Sequence, residues 1–140
     1  MSFRNLVLSA GIFNMVAASP LAFPFSYRGY LGLLNTLNKM LGLGGRPLAL
    51  PRGAFGMLAV NTAGLALALV GGMLLYAAAN LEERDGIPLL NGIARLIFAV
   101  LVAYYVVTTD LAHIVLVIAL IDVAIAVMFF YYILNRRHYK

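Results

Sequence analysis

From Gly53 to Ala79 the chain carries no charged side chain. That exceeds the roughly 20 apolar residues a helix needs to cross the hydrocarbon core of a bilayer. Three further runs pass the same test: about Asn5 to Phe23, Pro88 to Thr108 and Leu111 to Leu134. Only helices and closed barrels satisfy every backbone N–H and C=O inside hydrocarbon. Barrel strands alternate apolar and polar residues, and these runs do not. The expected fold is an all-α integral membrane protein, one membrane domain over residues 1–140 built as an antiparallel four-transmembrane-helix bundle.

Composition agrees. The chain is 64% hydrophobic and 11% charged, where soluble domains run about a quarter charged. A water-soluble chain this small could not hide so much apolar surface. The first run has some marks of a secretory leader, with Arg4 at its start and Ala17-Ala18-Ser19 as a cleavage site. Pro20 would obstruct cleavage and Asn14 interrupts the apolar core, so a retained helix is expected. There is no cysteine. Disulfides, thiolate nucleophiles and cysteine-held clusters are thereby excluded.

The long connection between spans one and two contains SYRGYLGLLNTLNKML. Tyr27, Tyr30, Leu31, Leu34, Leu37 and Leu41 recur at helical spacing, with Arg28, Asn35 and Lys39 opposite. An amphipathic helix over about 27–41 is expected to lie in the headgroup plane, with packing on the bundle or a partner as the alternative. Arg28, Lys39, Arg136 and Arg137 are read as membrane-surface cations meeting anionic lipid. The Gly-rich stretch GLGGRPLALPRG that follows lacks the preceding strand and the GK[ST] of a phosphate loop. Thr109-Asp110 is so short a link that spans three and four must be antiparallel neighbours. Asp110 is expected to cap the start of span four. Tyr76, Tyr104, Tyr105, Tyr131 and Tyr132 fall near span ends, the level of an aromatic belt.

Asp122 stands within the run IALIDVAIAV. A charge at the middle of a spanning helix costs on the order of 3 kcal/mol by insertion scales. It should therefore face protein, on the stripe of Ala112, Ala119 and Ala126. Span three has a similar face of Gly92, Arg95, Ala99 and Ala103. On span two Gly64, Ala68 and Gly72 form a small-residue ladder beside Asn61, and Gly11, Asn14 and Ala18 do the same on span one. Each span thus offers one strong polar group to a close-packing face: Asn14, Asn61, Arg95 and Asp122.

From helix rise, Asp122 and Asn61 lie about 16 and 12 Å from the same membrane face, close enough for a hydrogen bond. Arg95 and Asp122 lean toward their own N-termini, so a direct pair requires a tilt or a bridging water. The bland alternatives are an Arg95 that snorkels to headgroups and a protonated Asp122 acting as interhelical glue. His113 is read as interfacial, and neither histidine is spaced for a metal.

Three functions are compatible with these residues. One is a non-catalytic membrane subunit or scaffold that packs against partner membrane proteins or itself. Another is a small proton- or ion-coupled transporter or channel working as an oligomer, with Asp122 as the titrating site. The weakest is an intramembrane enzyme, because no motif supplies a nucleophile, an acid–base pair or a metal. No cofactor is called for, and with no basic patch on a soluble domain nucleic acid is not an expected partner.

The NLEERD turn, Gly92-Ile93-Ala94-Arg95-Leu96, Asp110-Leu111 and Asp122 together resemble small four-span bacterial inner-membrane proteins. Size and span count are also similar to DoxX-like proteins. The resemblance implies placement in the bacterial inner membrane with both termini cytoplasmic. It implies no particular activity.

Overall fold

In the computed structural model, residues 2–137 are described, and of Arg136 and Arg137 only the backbone. The surface role expected of Arg136 and Arg137 therefore lies outside the described side chains. Six helices follow in order: α1 (Phe3–Ala22), α2 (Pro24–Met40), α3 (Gly53–Ala79), α4 (Leu81–Arg84), α5 (Gly86–Thr109) and α6 (Ile114–Arg137). No named strand occurs among the described residues, only an isolated bridge between Arg46 and Leu111. α1, α3, α5 and α6 are long and apolar enough to cross a membrane, which marks a multi-pass membrane protein.

Proline chemistry sets the break between α1 and α2. Phe23 precedes Pro24 and takes the extended conformation that such a residue prefers (φ −121°, ψ 131°). Pro24 then opens α2, where its missing N–H costs nothing. That missing N–H also leaves the Pro20 carbonyl without its usual helical donor, and the Ser26 hydroxyl donates to it at 2.8 Å. The acidic turn NLEERDG forms the short α4. There Arg84 donates to the Tyr76 carbonyl at 2.9 Å and lies over the Tyr76 ring.

Two helix pairs carry the packing, α1 on α3 and α5 on α6. Small residues let α1 and α3 approach until backbones touch. A Cβ on Gly71 would sit 2.8 Å from the Gly11 carbonyl oxygen, and one on Gly64 would sit 2.5 Å from the Ala22 nitrogen. Such close seams are how membrane helices associate, since apolar burial gives no advantage in hydrocarbon. In the other pair Gly92 receives the Phe130 ring, and Val102, Val106 and Ala119 pack together. The pairs meet in a core of Phe3, Leu6, Val7, Leu74, Ile125 and Phe129. The Phe3 ring meets Phe129 edge-on at 6.1 Å and stacks on Tyr132 at 5.4 Å. By contrast, α3 and α5 touch only sparsely.

Three expectations need correction. Span four begins at Ile114, not Leu111, and Asp110 does not cap it. Asp110 instead ends α5 in the left-handed conformation (φ 56°, ψ 38°), which an aspartate tolerates better than most residues. The cap comes from another helix: Asn38 of α2 accepts from the Ile114 N–H at 2.8 Å. Consequently the buried positions of α2 are Tyr27, Leu31 and Asn38. Leu37 and Leu41, expected on that face, are exposed, because Asn38 must turn inward to reach α6.

Candidate functional site: a polar cluster on a cavity wall

One turn of α5 places Asn91 and Arg95 on the same side of the helix. Arg95 is only 5% exposed, so it does not snorkel to a surface. Its Nε donates to Asn91 Oδ1 at 2.7 Å, and one terminal nitrogen donates to Asn14 Oδ1 at 2.6 Å. The other donates directly to Asp122 Oδ1 across the α5–α6 seam. No bridging water is needed, because the length of the arginine side chain takes up the offset between the two positions. A buried charge is tolerable when it is both paired and hydrogen-bonded, and this guanidinium has three protein acceptors.

Asn61 stands apart. Its amide donates to the Leu21 carbonyl at 2.7 Å instead of reaching Asp122. The cause is local: α1 ends at Ala22, so its last carbonyls lack helical donors, and Asn61 serves one of them across the α1–α3 seam.

The small residues divide likewise. Gly64 and Gly92 lie in close seams, and Ala112, Ala119 and Ala126 are buried. Ala68 and Ala99 are half-buried. Ala103 is exposed, and a Cβ on Gly72 would meet nothing within 4 Å. The glycine actually in the α1–α3 seam is Gly71, so the expected ladder through Gly72 is shifted by one residue. On α2, Arg28 and Lys39 are exposed.

The Arg95 cluster opens onto a cavity of about 390 Å³ bounded by all four long helices and by α2. Asn14, Asn91, Arg95 and Asp122 form its polar patch, and residues such as Phe13, Leu21, Leu34, Val60 and Phe98 supply the apolar remainder. Tyr27 and Tyr30 of α2 also line it, and burial holds both phenols above their ordinary pKa, hence neutral. Sequence reasoning missed Asn91 and Asn38. Asn91 carried a signal, its spacing of one turn from Arg95. Asn38 carried none, because its partners lie in the loop after α2 and at the start of α6.

Among the described residues, no group of three His, Asp or Glu side chains could hold a metal. No protein-family model, curated protein or solved structure matches this chain.

Proposed function

We propose that the protein is a non-catalytic subunit or scaffold of the bacterial inner membrane that packs against partner membrane proteins or a second copy of itself. In this reading the four long helices form an antiparallel bundle with both termini cytoplasmic, and α2 lies as an amphipathic helix in the headgroup plane. One observation carries the docking role: Gly72 of α3 and Ala103 of α5 are small residues left uncovered, whereas Gly64, Gly71 and Gly92 are filled from within the chain. An uncovered glycine in a spanning helix is a notch that fits a neighbouring helix.

Extraction from native membranes in mild detergent tests this. The protein should migrate as an assembly larger than its 15.1 kDa chain, and Gly72→Leu should release it. A monomer under all mild conditions would overturn the proposal.

A second reading, proton- or ion-coupled transport through an oligomer, is favoured by Asp122 lining the cavity. It expects a pH-dependent flux in reconstituted vesicles that Asp122→Asn abolishes; a flux unchanged by that substitution would remove it.

A further inference from the structure

The cavity has a way in. Leu67 of α3 and Phe98 of α5 line it and are 44% and 42% exposed, which places an opening where these two helices touch only sparsely. A second cavity of about 210 Å³ shares Val70, Asn91 and Ala94 with the first and continues along the same α3–α5 groove to Ile87 and Leu90. The two make one largely apolar recess facing the hydrocarbon, whose charged and amide groups gather in one patch, Asn14, Asn91, Arg95 and Asp122, with the neutral Tyr27 and Tyr30 also in its lining.

The chemistry of that patch selects a guest. Arg95 and Asp122 cancel as a pair. Asn91 and Asn14 spend their carbonyl oxygens on Arg95, so the end of each amide left over is the NH₂ donor. Asp122 spends Oδ1 on Arg95, which leaves Oδ2 as an acceptor. An anionic head would have to displace Asp122 or stand unpaired in low dielectric, and a cationic head would face Arg95. An uncharged head with hydroxyl or carbonyl oxygens meets both donors and acceptor at no such cost. Size also discriminates. At about 30 Å³ for a group the size of a water or methylene, the larger cavity holds on the order of a dozen such groups, the head and the first part of one long chain. The remainder of that chain follows the second cavity along the α3–α5 groove; the two chains of a phospholipid do not fit.

We propose that this recess binds one single-chain, lipid-soluble molecule with an uncharged, oxygen-bearing head, the head against Asn91, Arg95 and Asp122 and the chain in the apolar remainder. Monoacylglycerols and long-chain alcohols share this chemistry. The proposal is independent of whether the chain assembles with partners.

The test uses the full-length protein, delipidated and placed in dioleoylphosphatidylcholine nanodiscs, with a diazirine-bearing monooleoylglycerol as photoprobe. Adducts are expected on cavity residues such as Phe98 and Leu34. Unlabelled monooleoylglycerol or oleyl alcohol should compete at least about tenfold better than ionised oleate or protonated oleylamine. Whichever of the two neutral competitors is stronger identifies the source of the head. Ala94→Trp, at the junction of the two cavities, should cut labelling about tenfold with helix content unchanged. Adducts confined to outward positions such as Val107 and Leu120 would overturn the proposal. So would oleate competing as well as the neutral probes, a comparison made on the parent protein that needs no variant to fold.

Discussion

Arg95 donates to Asp122 from one helix to the next, and the two residues are only 5% and 7% exposed. With so little exposure, hydration does not make up for the loss of either partner. Asp122→Leu should therefore cost about 3–5 kcal/mol, because it strands a buried guanidinium. Asp122→Asn should cost less, since an oxygen acceptor remains although the counter-charge is gone. Combining Asp122→Leu with Arg95→Leu should recover most of the loss, because replacing a whole buried pair by apolar side chains is often neutral. Unfolding in mixed micelles of the two single variants and the double variant measures the coupling. Additive losses would show that the pair acts as two independent groups.

Neighbouring glycines on α3 should behave in opposite ways. Gly71 faces the Gly11 carbonyl at a distance no side chain can occupy, while Gly72 faces open space. Gly71→Leu should push α1 and α3 apart and cost about 1–3 kcal/mol, in the manner of overpacking. In the isolated bundle Gly72→Leu should stay within about 0.5 kcal/mol of the parent. Thermal unfolding in detergent distinguishes the two, and equal effects would mean that the seam is rotated.

Asn38 joins three pieces of chain. Its amide donates to the carbonyls of Leu43 and Gly44 at 3.0 and 3.2 Å while its oxygen caps α6 at Ile114. Asn38→Ala should cost about 1–2 kcal/mol, the usual loss for a helix cap. It should also speed hydrogen exchange at the Ile114 amide. Asn38→Asp should keep that amide protected, because the acceptor survives, yet loosen the loop whose carbonyls lose their donor.

What the sequence discloses follows the range of the interaction. Four apolar runs of about 20 residues are enough to mark four helices, because backbone satisfaction in hydrocarbon depends on the segment alone. The side on which Asp122 lies could also be read, since Ala119 and Ala126 of the small-residue stripe belong to the same helix, although Ala112 lies just before it. That Gly71 and not Gly72 enters the α1–α3 seam could not be read, because adjacent residues differ by 100° of rotation and only the partner helix decides which of them faces it. Asp110 suits either end of a helix, so its conformation waited on Arg46, whose N–H donates to the Asp110 carbonyl at 2.6 Å. The cavity had no local signal whatever. It exists because α3 and α5 pack closely on other helices and only loosely on each other.

The absence of cysteine makes the proposed orientation directly measurable. If both ends face the cytoplasm, an introduced cysteine at Ser2 should resist a membrane-impermeant maleimide in intact cells and react once the membrane is opened. One at Ala49, in the exposed stretch between α2 and α3, should react in intact cells. Neither position lies in a seam or lines the cavity. Ala49→Cys should leave folding unchanged, and Ser2→Cys should cost no more than about 1 kcal/mol, the cap that Ser2 gives the Asn5 N–H at 3.2 Å. The opposite labelling pattern would invert the bundle and place the Lys and Arg residues of the α2 segment inside. That result would fit the positive-inside rule nearly as well, because Arg28, Lys39, Arg46 and Arg52 nearly match Arg4, Arg84, Arg136, Arg137 and Lys140 in number.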